Sequence, residues 1–383
     1  MSKADGIHAM VPEEAMIPAA RKLRATYALT PGAPFVQREF GFYCLDEWAK
    51  QGMPPDVPRA ELFGYDPPAV CGLGRLGWCE APFVPRFEEK IIEDRGDTEV
   101  VQDAYGRHVL CFKGRRSGFM PEYLDHPVKD RKTWEENCQW RLDPTTPARY
   151  ADYDKWEARV REAAGQGKLI SQGLVGGYMY LRSLIGPADL LYKFYDEPEL
   201  IHDCMETWLK LAQAVTARHQ EVVTFDEVFI AEDICFNNGP LISPDMMREF
   251  LFPYYQELLR GIKARQLDKA RHLYFQVDTD GFASPVIPLY QELGMDVMSP
   301  FEVAAGCDVV EIGRQFPNLV MSGGVDKRIL AESKSAIDRM VDRIFPVMRA
   351  RGGYIPTCDH GVPAEVPYEN YLHYRKRARE FAS

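Results

Sequence analysis

Arg271-His272-Leu273-Tyr274-Phe275-Gln276-Val277-Asp278-Thr279-Asp280-Gly281 is an apolar run that ends abruptly in two acids and a glycine. It reads as a strand leaving a sheet at a polar edge. Downstream, Gly352-Gly353-Tyr354-Ile355-Pro356-Thr357 runs into Cys358-Asp359-His360-Gly361 in the same way. Between them, Ser299-Pro300-Phe301-Glu302 and Ser322-Gly323-Gly324-Val325-Asp326-Lys327 each follow a short apolar segment. Strands of a parallel barrel bring their ends to one face, and that face carries the active site. The pattern predicts an enzyme and locates its site.

Working outward, apolar strands are expected near 169–175, 227–231, 272–277, 295–298, 318–321 and 353–356, with helices over 187–221, 244–266, 284–293, 306–315 and 334–350. Alternating β and α segments predict a parallel sheet. Six such units, with strands from the front third, predict a single α/β domain over 1–383: a (β/α)8 TIM barrel with an N-terminal extension and a β-hairpin insertion. Its regular part is 168–380. Residues 1–150 are irregular, broken by Pro54-Pro55, Pro67-Pro68, Pro82 and Pro85. Pro34 to Tyr43 reads as a first strand and its loop. Residues 98–115 alternate around Ala104-Tyr105-Gly106-Arg107 and read as the hairpin. Thr133 with Glu136 predicts a capping box for a short helix to Trp140. A helix is also expected from Tyr150 to Gly165.

The chain has 383 residues and a net charge of −11, which disfavours nucleic acid as a partner. No apolar run reaches the ~18 residues needed to span a membrane, nor does Met1 to Arg24 hold a signal-peptide core, so a cytoplasmic protein is expected. Nine scattered cysteines without a Cys-x-x-Cys pair predict reduced, buried thiols rather than a thiolate zinc cluster. Gly72-Leu73-Gly74-Arg75-Leu76-Gly77 matches a dinucleotide fingerprint in letters only, because prolines flank it where a strand and a helix are required.

The tail Gly352 to Ile355, Asp359-His360-Gly361-Val362-Pro363 and Val366 to Tyr371 resembles the closing motif of the uroporphyrinogen decarboxylase superfamily. Gly294-Met295-Asp296 with Pro300-Phe301-Glu302, Gly323-Gly324-Val325-Asp326 and Asp189 to Leu200 resemble the same superfamily. The resemblance covers 168–380 and implies a (β/α)8 barrel. Porphyrinogen decarboxylases of this superfamily carry paired arginines that grip substrate carboxylates. The corresponding stretch here, Gln37 to Tyr43, keeps Arg38 and adds Glu39, which would repel a carboxylate, together with Phe40, Phe42 and Tyr43. Aromatic rings suit a flat neutral ligand.

A second branch comprises methyltransferases that work with corrinoid proteins. Its thiol-methylating members hold zinc through His-x-Cys-Gly and a later Cys-Gly. These motifs fall on Asp278-Thr279-Asp280-Gly281 and His360-Gly361, with carboxylates and imidazole in place of sulfur. The resemblance therefore implies an O-demethylase methyltransferase, moving a methyl group from a methoxylated aromatic to the Co(I) corrinoid (a cobalamin) of a partner protein. A metal-independent decarboxylase is the alternative, and an inert binding barrel a third reading. A homodimer is expected only at family level.

Asp278, Asp280, His360, Glu232 and Asp326 are the expected catalytic residues. Asp278, Asp280, His360 and, as a fourth ligand, Glu232 are the tentative zinc ligands; a Lewis acid there would polarise the ether oxygen. Arg38, Phe40, Phe42, Tyr43, Tyr178 and Glu302 are the expected substrate contacts, with Tyr180, Arg182 and Trp78 as further wall residues. The structural alternatives are an Asx turn at Asp278 and Asp280, a helix cap at Asp326, loop closure at Glu302 and core packing for the rings. Gly323-Gly324 with Lys327 offers a phosphate cradle as another alternative. His272, at a strand start, is expected at the opposite end.

Overall fold

The computed structural model describes residues 15–114 and 121–383. Residues 1–14, and Arg115 at the end of the expected hairpin stretch, lie outside the described residues. The first strand, β1 (Val70–Gly72), is followed by four antiparallel strands: β2 (Lys90–Asp94), β3 (Thr98–Gln102), β4 (His108–Phe112) and β5 (Glu122–Asp125). The rhythm then becomes β/α: β6 (Leu169–Val175), β7 (Glu227–Ala231), the two-residue pieces β8 (Cys235–Phe236) and β9 (Gly239–Pro240), then β10 (Tyr274–Asp278), β11 (Val297–Ser299), β12 (Val320–Ser322) and β13 (Tyr354–Ile355). Helices Pro187–Asp196, Pro198–Gln220, Pro244–Phe250, Phe252–Arg265, Val309–Gln315 and Lys334–Arg351 fill the intervals. All six strands and the helices between them lie within a few residues of the periodicity reading.

The parallel sheet runs β1-β6-β7-β10-β11-β12-β13. It has seven strands, not eight, and among the described residues no ladder joins β13 back to β1. The expected first strand explains the gap. Phe35 N–H donates to the Phe381 carbonyl at 2.9 Å, and Gln37 N–H to Asp66 Oδ2 at 2.7 Å, so these donors are spent outside the sheet. Val36 nevertheless packs with Leu169, Val297, Val320 and Ile355 in one buried cluster. The segment fills the interior without pairing as a strand.

The front third departs further from expectation. The hairpin exists, with Val100 opposite Leu110, but it is the centre of a four-stranded sheet. Its outer strands β2 and β5 are exposed along most of their length, so they lack the buried alternation that marks a strand. The capping box belongs to Asp130 and Thr133: Thr133 N–H donates to Asp130 Oδ1 at 2.8 Å, and the short helix starts earlier than expected. The glycines after β1 lead into a loop, not a helix, as the flanking prolines predict. No helix among the described residues is long and apolar enough to cross a membrane.

Candidate functional site

Register brings the strand ends to one level. Val175 pairs with Ala231, Ala231 with Asp278, and Asp278 with Ser299. Side chains alternate across a strand, and Thr279 is fully buried, its hydroxyl accepting from Ile234 N–H at 3.1 Å and Cys235 N–H at 3.2 Å. Its neighbours Asp278 and Asp280 both line a cavity of about 690 Å³. Gly281 closes the turn at φ +78°, where a Cβ would stand 2.8 Å from the Phe236 carbonyl.

His360 reaches the same cavity from the far side, its Nε2 3.7 Å from Asp280 Oδ2. Phe40 and Tyr43 pack on its imidazole at ring distances of 5.2 and 5.8 Å. Trp78 stacks on Phe229 of β7 at 5.0 Å and 9°. These aromatics give the cavity flat walls. Its floor is polar. Gln276 Nε2 donates to Ser299 Oγ at 2.9 Å, and Ser299 Oγ donates to Asp278. Arg38 donates to Ser322 Oγ at 3.3 Å.

Burial governs the acids. It raises the Asp278 carboxyl to about 7, against the lowering effect of the Ser299 bond. It raises Asp280 to about 6, against the attraction of His360. Glu232 is fully buried and raised to about 7, again by desolvation. Tyr255 donates to its Oε1 at 2.7 Å and Oε2 at 2.6 Å, and Tyr290 to Oε1 at 2.8 Å. The site therefore holds three carboxyl groups that keep protons close to neutrality.

Of the expected site residues, the cavity gathers Asp278, Asp280, His360, Glu232, Arg38, Phe40, Tyr43, Trp78 and Arg182. Five others lie elsewhere. Phe42 packs into the core against Trp48, Phe63 and Tyr371. Tyr178 and Tyr180 are both fully buried, outside the cavity lining. Glu302 closes a loop, accepting from Gly281 N–H at 3.0 Å. Asp326 caps the helix Lys327–Glu332, accepting from Arg328 N–H at 2.9 Å, and lines a separate small cavity.

The expected zinc ligands are not assembled either. Glu232 spends both oxygens on tyrosines and Asp278 one on Ser299. Among the described residues, no group of three or more His, Cys, Asp and Glu side chains is placed to hold a metal ion. The donor set does not fit a metal in this arrangement. Gly323 and Gly324 are glycines for packing: a Cβ would meet the Pro300 carbonyl at 1.7 Å or Val309 Cγ1 at 2.2 Å, so no phosphate cradle is needed to explain them. His272 is exposed beside Asp296, at the start of β10, as expected.

Sequence reasoning missed the contribution of the antiparallel sheet. Arg107, Tyr123 and His126 all line the cavity. Arg107 is held by Asp103 at 2.7 Å and faces the Tyr123 ring at 4.7 Å. Their distance in sequence from the β/α units hid them. Glu39 also reads differently. Its oxygens accept from Cys358 N–H, Phe40 N–H and the Tyr371 hydroxyl, and burial raises its carboxyl. It lines the cavity and anchors the loop.

A curled parallel sheet with a polar, aromatic-walled cavity at its C-terminal strand ends is the architecture of an α/β barrel-type ligand site. Within that class, the family profile described as Uroporphyrinogen decarboxylase (URO-D) matches residues 158–381, more than half of the chain, and the protein belongs to that family. Comparison with curated proteins finds no match. Among solved structures, the chain is similar to a methyltransferase from Methanosarcina mazei, at 14% identity and a TM-score of 0.55, over 95% of this chain and 99% of that one. That likeness is one of fold. Two others reach a TM-score of only 0.33: a Listeria monocytogenes protein assigned as a vitamin-B12-independent methionine synthase (13% identity, 60% of this chain, 69% of that one) and xylanase B from Clostridium stercorarium F9 (14%, 58% and 75%).

Proposed function

We propose that this protein is a methyltransferase that takes a methyl group from an aryl methyl ether and delivers it to the Co(I) corrinoid of a partner protein. The observation that carries the reading is the pairing of flat aromatic walls with buried carboxyl groups raised to about 7 at Asp278 and about 6 at Asp280. Demethylating an aryl ether breaks the methyl–oxygen bond and leaves a phenolate. The corrinoid supplies the nucleophile and both electrons of the new carbon–cobalt bond. The chain's own task is to bind the ring and to give the departing oxygen a proton. Asp278, raised to about 7, is the acid best matched to that task. Asp280, beside His360, is the second proton-bearing group.

Among the described residues, two of the three cavity arginines are neutralised, Arg107 by Asp103 and Glu80, and Arg182 by Asp233. That charge balance suits a single-ring donor better than a polycarboxylate. The end-to-end fold likeness to the M. mazei methyltransferase supports the same reading. The test mixes purified protein, Co(I) corrinoid protein and a panel of phenyl methyl ethers, and follows the corrinoid spectrum. Phenol release matched to cobalt methylation is the expected result. Carbon dioxide release from a carboxylated substrate, without methyl transfer, would instead establish decarboxylation.

A further inference from the structure

His126 is the one histidine of the antiparallel-sheet region that reaches the cavity, and the methyl-transfer reading gives it no task. It follows β5 directly and lies outside the segment that the family profile matches. Its place is specified by its surroundings. Gly186, at φ +99°, leaves room for the ring; a Cβ there would stand 2.7 Å from His126 Nδ1. Tyr123 lies beside it at a ring distance of 6.0 Å and 37°. His126 lines the cavity with Arg107, Tyr123 and Pro187, yet no side-chain hydrogen bond ties it to any described residue.

The imidazole is held neutral. Burial lowers it to about 4, and the guanidinium of Arg107 and the ammonium of Lys129 act in the same direction. A neutral imidazole offers one N–H donor and one bare nitrogen acceptor. A single ligand oxygen meets only one of the two nitrogens. A phenolic hydroxyl donates to the bare nitrogen, a strong acceptor. An aryl ether has no proton to give it and can only accept, as a weakly basic oxygen, from the N–H of the other tautomer.

We infer that His126 is a specificity-determining residue that hydrogen-bonds a free ring hydroxyl, so the preferred donors are methoxyphenols rather than fully alkylated arenes. This rests on the methyl-ether reading for the identity of the ligand, but not for its measurement. Each methoxyphenol differs from its dimethoxy counterpart by one methyl on the hydroxyl. Methylation removes the donor and adds bulk where the imidazole stands. One neutral hydrogen bond to a group otherwise left unpaired corresponds to about tenfold in affinity.

The experiment measures binding, by quenching of tryptophan fluorescence and by calorimetry, without corrinoid protein. The ligands are 2- and 4-methoxyphenol and 1,2- and 1,4-dimethoxybenzene. At least one phenol should bind about tenfold tighter than its methylated partner. His126→Phe, which keeps a ring but no nitrogen, should erase the preference, and His126→Gln, which keeps a donor and an acceptor, should retain part of it. Thermal unfolding confirms that each variant is folded. Equal binding within both wild-type pairs would overturn the inference whatever the variants do, as would a preference that survives in His126→Phe. Absence of methyl transfer with the binding preference intact would refute the proposed reaction and leave the hydroxyl contact standing.

Discussion

Replacing Glu232 by glutamine should stabilise the protein at alkaline pH and do little at acid pH. The carboxyl of Glu232 is fully buried, hydrogen-bonded by the hydroxyls of Tyr255 and Tyr290 and by the Tyr178 amide, with no cation among the groups that shift it. Burial raises it from 4.5 to about 7. The unfolded chain gives up this proton near 4.5, while the folded chain keeps it until about 7. A raised folded-state value means that stability is fully present below about pH 4.5 and is lost as pH rises towards 7. Two and a half pH units at about 1.4 kcal/mol each amount to ~3 kcal/mol. Glutamine keeps the shape and cannot ionise. Equilibrium urea unfolding of both proteins from pH 4.5 to 8.5 isolates the residue, because Asp278 and Asp280 titrate in both and cancel. The difference should move by ~3 kcal/mol in favour of Glu232→Gln between pH 5 and 8. Parallel pH profiles would refute the assignment of a buried proton to Glu232.

Asp278, raised to about 7, acts in the proposed reaction as its protonated form, so kcat/KM should be high below pH 7 and fall above it. Asp278→Asn should remove that limb and lower kcat by about a hundredfold or more, measured as methyl transfer at pH 6. Trp78 is 51% exposed and stacked on Phe229, so Trp78→Ala should leave the melting temperature nearly unchanged while weakening arene binding up to about tenfold in a fluorescence or calorimetric titration. Gly176→Ala would place a Cβ 1.8 Å from Glu232 Oε2 and 2.8 Å from the Ala231 carbonyl, and should cost about 3 kcal/mol or more in thermal unfolding. Gly41→Ala, with nothing within 4 Å, is the matched control.

The β/α part was legible in the sequence because its strands are buried on both faces and its helices show clean periodicity. Asp278 and Asp280 were legible for the same reason: an apolar run that stops at acids marks a strand end. Phe42 was not, because in a run of three aromatics sequence alone does not say which ring faces the core. The structure puts Phe42 against Trp48 and leaves Phe40 and Tyr43 beside His360. Asp326 followed its structural alternative, since a short polar residue before a helix satisfies an otherwise unpaired N–H. The expected metal set is not assembled among the described residues, and part of the reason is partners. Glu232 reaches the cavity, but Tyr255 and Tyr290, on segments far away in sequence, consume its oxygens. The eighth strand failed because the Phe35 and Gln37 amides find partners at the chain's end and at Asp66.

Glu39 shows how a charge written in the sequence can be given a structural task in the fold. As a letter beside Arg38 it argues for repulsion of anions. In the fold its carboxyl is surrounded by donors: the amides of Phe40 and Cys358 and the hydroxyl of Tyr371. The Tyr371 hydroxyl in turn lies 2.5 Å from the Tyr65 hydroxyl, so the carboxyl heads a short chain of phenols. Burial raises it, and these donors and the Arg375 guanidinium act against that rise. Its structural task is mechanical. Glu39 ties the loop that carries Phe40 and Tyr43 to the loop that carries His360, and the two rings rest on that imidazole. The same economy recurs at Arg107 and Arg182, each cancelled by carboxylates of its own wall. Among the described residues, Arg38 is then the one cavity arginine with no carboxylate partner, and burial holds Asp278 and Asp280 well above the ordinary carboxylate range. A cavity built this way discriminates by ring shape and by where protons sit, more than by net charge, and that is the discrimination an aryl ether demands.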